Sequence, residues 1–143
     1  MQNNQLTVQR MLNAPVESVY RAFADPVALV KWLPPRGYIM RVVEFDLRND
    51  GMYYFELTHF MTKQQHSLKG QFIEVCPQQK VRYIDHSHDN IGIAVEKILQ
   101  FNANFMGTEF KVTQKGLPEQ RPAEMYYVDW QDSLYLLSLL LEH

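Results

Sequence analysis

The one cluster of metal-ligand residue types in this 143-residue sequence is His86-x-His88, with Asp85 and Asp89 beside it. Two histidines at alternate positions share one face of a strand, where both imidazoles can bind the same ion. This segment is polar throughout, however, and its pattern predicts a loop without a third fixed ligand. We therefore expect a solvated turn here, with no metal site and no bound cofactor.

His59, Lys97 and Asp129 are the other side chains that could do chemistry. His59 and Lys97 both fall on the apolar phase of a predicted strand, where a lysine needs a partner or a shifted pKa. A histidine there can orient a ligand or act as an acid or base near neutral pH. Each side chain can equally lie near a strand end and reach water. Asp129, next to Trp130, is a candidate polar partner.

The elements that must position these residues follow from hydrophobic periodicity. Residues 119–140 form a predicted long helix, because Tyr126, Trp130, Leu134 and Leu137 are spaced by four, four and three positions. Such a stripe needs a large apolar surface to lie on. The preceding chain supplies that surface as strands.

Alternation of apolar and polar residues predicts seven strands ahead of the long helix. They are expected at residues 6–12, 42–47, 52–61, 67–75, 81–85, 93–103 and 108–114. Ala14-Pro15 and Asp25-Pro26 predict the starts of two short helices after the first strand, and Gly70 predicts a bulge or bend within the fourth. The order predicts an α+β fold: a curved antiparallel β-sheet of about seven strands, two short helices after strand 1, and a long C-terminal helix packed across the sheet.

A curved sheet beneath a helix often leaves unfilled space, and a small molecule would bind there. The residues expected to line such a cavity share the inward phases of the strands and the inner face of the helices. They are Trp32, Tyr53, Phe55, Leu57, His59, Tyr83, Val95, Lys97, Leu99, Phe110, Val112, Tyr126, Asp129, Trp130, Leu134 and Leu137. The same residues would also suit a well-filled core.

Composition limits the function classes. A net charge of −2, with basic residues scattered along the chain, argues against a nucleic-acid partner. No apolar run approaches the length of a membrane span, and no secretory h-region opens the chain. Cys76 is the only cysteine, which excludes an intramolecular disulfide and fits a reducing cytoplasm. We expect one domain over residues 1–140, with residues 141–143 as a tag remnant.

Five motifs carry a resemblance to a known superfamily. They are residues 13–20 (NAPVESVY), 22–26 with 31–35 (AFADP and KWLPP), 70–77 (GQFIEVCP), 107–110 (GTEF), and Trp130 with Leu134 and Leu137. In this order they resemble the START-like, helix-grip superfamily related to the major birch-pollen allergen. Within it the chain looks most similar to the group named after the C-terminal domain of the activator of the heat-shock-protein-90 ATPase. Asp129 stands where the family usually has glycine, so we expect a more polar cavity mouth.

The resemblance implies a helix-grip fold, but its members include lipid carriers, hormone receptors, aromatic cyclases and chaperone co-activators, so the fold does not choose among functions. Our leading hypothesis is a non-enzymatic, cytoplasmic carrier or sensor that binds a hydrophobic small molecule, a lipid or an aromatic compound, oriented by His59 or Tyr53. One alternative is a chaperone co-activator-like domain that binds a chaperone or another protein. The second is a cyclase- or hydrolase-like enzyme that uses His59 with a carboxylate. A monomer and a homodimer both remain open.

Overall fold

The computed structural model describes residues 5–86, 95–116 and 123–142, with the backbone alone for 123–126. Seven strands and three helices lie within these residues. The strands are β1 (Gln5–Leu12), β2 (Tyr38–Phe45), β3 (Met52–His59), β4 (Gln65–Cys76), β5 (Lys80–Asp85), β6 (Val95–Asn104) and β7 (Gly107–Lys115), and the helices are α1 (Val16–Ala24), α2 (Pro26–Leu29) and α3 (Ala123–Leu141). The strands form one antiparallel sheet in the order β1-β7-β6-β5-β4-β3-β2. This architecture confirms the predicted α+β helix-grip fold.

Local sequence explains where the first helices begin. Pro15 precedes α1, whose first turn carries Glu17, a charge that favours a helix N-terminus. Asp25 ends α1 and starts α2, because its carboxylate accepts a hydrogen bond from the Val27 backbone N–H at 3.0 Å. Two short helices therefore follow β1, as the proline positions predict.

Strand β7 returns to pair with β1, which forms one edge of the sheet. The two strands pair from Gln5 opposite Lys115 to Leu12 opposite Thr108. Gly107 begins β7 at φ +140°, and a Cβ there would overlap the Leu12 carbonyl oxygen, so only glycine fits. The buried Thr108 hydroxyl then donates a hydrogen bond to the Ala14 carbonyl at 2.9 Å. Gly107 and Thr108 of the GTEF motif therefore fix the start of β7 against the end of β1.

The described side chains of the helices fill one part of the sheet's inner face. Helix α1 packs on β6 and β7, and α3 packs on β1. The side chains that fill this part are fully buried, and they include Leu99, Phe110, Val112, Leu134 and Leu137. Strands β3, β4 and β5 instead present a group of neighbouring aromatic rings, which are those of Tyr53, Phe55, Phe72 and Tyr83. The sheet thus has a filled part over β1, β7 and β6 and an aromatic part over β3, β4 and β5.

Some boundaries differ from those that alternation predicts. Strand β2 starts earlier, at Tyr38, and β3 ends at His59, because the chain turns there and the Lys63 backbone N–H bonds to the His59 carbonyl. The irregularity in β4 lies between Phe72 and Glu74, where the register with β5 shifts. Gly70 keeps its place in the ladder.

Within the described residues, none of the helices has both the length and the apolar character that a membrane crossing requires.

Candidate functional site

A cavity of about 350 Å³ lies between the aromatic part of the sheet and α3. Most of its wall is apolar and consists of Phe23, Leu33, Pro35, Phe45, Tyr53, Phe55, Leu57, Leu68, Phe72, Tyr83, Val95 and Trp130. The polar part of the wall consists of Asp85, Lys97, Gln114, Asp129 and Ser133. A volume of this size, with an apolar wall and a few convergent polar groups, is typical of small-molecule sites.

The structure brings half of the predicted lining residues together on this wall. They are Tyr53, Phe55, Leu57, Tyr83, Val95, Lys97, Asp129 and Trp130. Other predicted residues are fully buried in the filled part of the sheet and do not line the cavity, namely Leu99, Phe110, Val112, Leu134 and Leu137. They share the inward phase, but α1 and α3 already cover them. The side chain of Tyr126 lies outside the described residues.

Trp32 is also placed in the core and away from the cavity. It is fully buried, its indole N–H donates to the Ala22 carbonyl at 2.9 Å, and its ring packs edge-on against Phe110. The hydrogen bond satisfies the one polar atom of the side chain, as a buried tryptophan requires. Trp32 therefore joins α1 to the filled part of the sheet.

His59 is the last residue of β3 and does not line the cavity. Its Nδ1 accepts hydrogen bonds from the backbone N–H groups of Met61 and Thr62, both at 3.2 Å. Its ring packs edge-on against Tyr38 and stacks on Phe60. The inward phase of β3 does not place His59 in the cavity, because the strand ends at this residue.

The only predicted metal-ligand cluster falls largely outside the described residues, since His88 and Asp89 are not among them. In the described part of the chain, no group of three or more histidine, cysteine, aspartate or glutamate side chains lies close enough together to hold a metal ion.

The polar part of the wall centres on an ion pair. Lys97 Nζ lies 3.5 Å from Asp85 Oδ2, and the two side chains are 19% and 7% exposed. Strand register puts Tyr83 on one side of Lys97 and Gln114 on the other. The Lys97 ammonium also lies 5.8 Å from the centre of the Tyr83 ring, within range of a cation–π interaction.

Two buried phenols adjoin this ion pair and stay uncharged at neutral pH. Burial raises the pKa of the Tyr53 hydroxyl well above its usual value, and the Asp85 carboxylate raises it further. Burial also raises the pKa of Tyr83, with Lys97 acting in the opposite direction. Both hydroxyls therefore keep a proton that they can donate.

Gly70 allows Tyr53 to lie across β4. A Cβ on Gly70 would be 2.6 Å from the Tyr53 hydroxyl oxygen, closer than real Cβ contacts come. Strand register places Gly70 directly between Tyr53 and Asp85. The glycine thus brings the phenol within electrostatic range of the carboxylate, which is a role that the bulge prediction missed.

Gln114 is the most unusual member of the wall. Its residue is 4% exposed, and its Oε1 has no hydrogen-bond partner in the part of the chain that the structure describes. A buried carbonyl oxygen without a partner costs about 1–3 kcal/mol. Such atoms are rare in folded proteins and mark places where a further partner fits.

Two contacts hold residues 30–37, the irregular segment that follows α2, against α3. The Ser133 hydroxyl donates to the Leu33 carbonyl at 3.3 Å, and Arg36 pairs with Asp132 at 3.1 Å. Asp129, half-buried, lines the cavity on the same helix. The irregular segment thereby supplies one side of the cavity.

Several lining residues were not predicted from the sequence, although the alternation of some strands indicates them. Leu68 and Phe72 share the inward phase of β4, while Asp85 and Gln114 extend the inward phases of β5 and β7. Asp85 and Gln114 were not predicted because polar side chains are not expected on an apolar face. The remaining missed residues are Phe23, Leu33, Pro35, Phe45 and Ser133.

A curved seven-stranded antiparallel sheet, with a long helix over a partly polar cavity, defines the helix-grip class of START-like proteins. The sequence model described as Activator of Hsp90 ATPase homolog 1-like protein matches residues 13–142. The chain therefore belongs to that family, as the motifs suggested. A comparison with curated proteins finds no match.

Solved structures agree with this assignment. Protein CV1439 from Chromobacterium violaceum is 37% identical to this chain, with a TM-score of 0.91 and 98% of each chain covered. Protein NE0264 from Nitrosomonas europaea is 22% identical, with a TM-score of 0.83 and coverage of 96% of this chain and 94% of that one. An AHSA1-like protein from Aeromonas hydrophila is 16% identical, with a TM-score of 0.80 and coverage of 97% and 96%. The two lower identities show similarity of fold alone.

Proposed function

We propose that this protein binds a hydrophobic small molecule, a lipid or an aromatic compound, in the cavity between the sheet and α3, and that it acts as a carrier or sensor. The observation that supports the proposal is a largely apolar space of about 350 Å³ that the described side chains leave unfilled. Well-packed interiors hold few voids larger than a water molecule, so a space of this size suits a ligand.

Apolar burial would supply most of the affinity. A ligand that loses about 250 Å² of accessible apolar surface gains about 6 kcal/mol before the costs of association. Tyr53 is better placed than His59 to orient the ligand, because its buried phenol lies on the wall. A cytoplasmic location is part of the proposal and fits the lone Cys76.

Native mass spectrometry of the protein purified from its own host tests this proposal. We expect a retained hydrophobic compound on the wild type and its loss from Val95→Phe, since the larger side chain would occupy space beside the ligand. Val43→Phe is the matched control, because Val43 is exposed on β2. Thermal denaturation would show that both variants fold. A compound that stays bound to folded Val95→Phe would contradict binding in this cavity.

Protein interaction is a second candidate function, and it has an observation of its own. Phe105 and Met106 stand at the tip of the hairpin between β6 and β7, with Phe105 98% exposed. Contiguous exposed apolar surface is a mark of protein-interaction sites, and these two apolar side chains are neighbours. The family description, which names an activator of the Hsp90 ATPase, makes the host's Hsp90 the partner to test.

An ATPase assay with the host's Hsp90 tests the second candidate. We expect the wild type to stimulate ATP hydrolysis and a Phe105→Ser, Met106→Ser double variant to stimulate it less. Lys111→Ser, on the following strand, is a control for changes on the outer surface. Absence of stimulation by the wild type would refute this candidate and leave ligand binding unaffected.

A further inference from the structure

We infer that the ligand of this cavity is an uncharged molecule whose apolar body carries a hydroxyl group, and that Asp85, Lys97 and Gln114 bind this hydroxyl. The inference rests on the proposed binding function and names the class of ligand. It is carried by the polar part of the wall, where all three side chains line the same cavity.

The ion pair presents a donor and an acceptor side by side. Lys97 Nζ and Asp85 Oδ2 are 3.5 Å apart, so one ligand atom can reach both groups. A hydroxyl oxygen accepts a hydrogen bond from the ammonium, while the hydroxyl O–H donates one to the carboxylate. Hydrogen bonds to charged groups are stronger than bonds between neutral ones, so a hydroxyl placed here gains more than one placed against a neutral wall.

Charge argues against an ionised ligand. Lys97 and Asp85 neutralise each other, so their pair offers no net attraction to an ion. A ligand carboxylate that approaches Lys97 also approaches Asp85, and a ligand ammonium that approaches Asp85 meets Lys97. Asp129 is a further acidic side chain on the same wall and repels an anion. An ion would therefore lose its hydration without full compensation.

Gln114 requires a donor, and a hydroxyl is one. Its Oε1 lacks a hydrogen-bond partner in the described residues, and strand register places Gln114 directly opposite Lys97. The terminal amide torsion of glutamine is broad, so the carbonyl oxygen can turn toward a ligand at low cost. A hydroxyl bound by Lys97 can thus donate a hydrogen bond to Gln114 Oε1 or to the Asp85 carboxylate.

Three probes with the same ring system test the inference: naphthalene, 2-naphthol and 2-naphthoate. Isothermal titration calorimetry at pH 7 gives their dissociation constants, and tryptophan fluorescence, to which Trp130 on the cavity wall contributes, reports binding in the cavity. We expect 2-naphthol to bind about tenfold more tightly than either of the others, the ratio that one hydrogen bond to a charged group supplies.

Substitution of Gln114 tests the assignment of the site. Gln114→Met keeps a similar volume and removes the carbonyl, so the preference for 2-naphthol over naphthalene should fall severalfold while naphthalene binding persists. Gln100→Met is the matched control, because Gln100 lies on the opposite phase of the adjacent strand β6. An unchanged preference in folded Gln114→Met would overturn the role of Gln114.

The probe series on the wild type separates the two levels of the proposal. Equal binding of naphthalene and 2-naphthol would overturn the inference of a hydroxyl and leave hydrophobic binding intact. Tighter binding of 2-naphthoate would overturn it in favour of an acidic ligand. Binding of none of the three would count against the proposed function itself and would remove this inference with it.

Discussion

Replacement of Lys97 by methionine is expected to lower the free energy of unfolding by about 3 kcal/mol at pH 7, the lower end of the range for breaking a buried ion pair. The variant removes the ammonium that lies 3.5 Å from Asp85, whose side chain is only 7% exposed. At an effective dielectric constant of about 20, charges at this distance attract each other by about 5 kcal/mol. Because Lys97 is 19% exposed, water screens part of that attraction.

A double-mutant cycle isolates the interaction between the two side chains. Urea denaturation of the wild type, Lys97→Met, Asp85→Asn and the double variant gives four free energies of unfolding, from which the coupling energy follows. We expect about 2 kcal/mol for this pair. The matched control is a cycle on Arg36 and Asp132, whose side chains are 83% and 33% exposed, and there we expect below about 1 kcal/mol.

The cycle also tests the view that the polar wall is shielded from bulk water. Equal coupling energies for the cavity pair and the surface pair would refute it. The cavity would then be filled with screening water, and its polar groups would discriminate poorly between ligands.

Three further substitutions test other parts of the structure. Gly70→Ala should lower the urea-derived stability by about 2 kcal/mol, because its Cβ would overlap the Ile84 carbonyl oxygen and press on Tyr53. Tyr53→Phe should reduce the loss of stability at alkaline pH. The raised folded-state pKa of Tyr53 means that the stability its neutral phenol contributes is complete below about pH 10.0, the unfolded value, and is lost as the pH rises toward the folded value. Trp32→Phe should cost about 2 kcal/mol in thermal or urea denaturation, since the buried Ala22 carbonyl loses its partner.

Each of these predictions has a contrary outcome. Wild-type stability of Gly70→Ala would show that the wall can move aside, which would weaken the assigned role of the glycine. Identical alkaline denaturation profiles for the wild type and Tyr53→Phe would show that this phenol is hydrated. Unchanged stability of Trp32→Phe would mean that water reaches the Ala22 carbonyl.

Much of the fold follows from the sequence, because strand and helix periods are properties of the backbone. Tyr53, Phe55 and Leu57 alternate with polar residues, and the structure places all three on the cavity wall. Trp130 likewise follows from the helical stripe. Such positions are predictable because a period of two residues in a strand, or of 3.6 in a helix, decides which face a side chain occupies.

What the sequence could not reveal is which part of the inner face remains unfilled. Leu99 and Tyr83 have the same inward phase on neighbouring strands, yet only Tyr83 borders the cavity. The difference arises from where α1 and α3 pack, which is a tertiary property. Leu33 and Pro35 lie in an irregular segment, where no periodicity applies. His59 was misplaced because alternation was carried to the last residue of its strand.

The pairing of β1 with β7 has a consequence for synthesis on the ribosome. Leu12 of β1 lies opposite Thr108 of β7. The two strands are neighbours in the sheet, but strands β2 to β6 all lie between them in the sequence. At translation rates of about 5–20 residues per second, roughly 100 residues take about 5–20 s to synthesise. During that interval the nascent β1 exposes Leu6, Val8 and Leu12 without its sheet partner. The nascent chain therefore carries an apolar strand without its hydrogen-bonding partner until β7 emerges and completes the sheet.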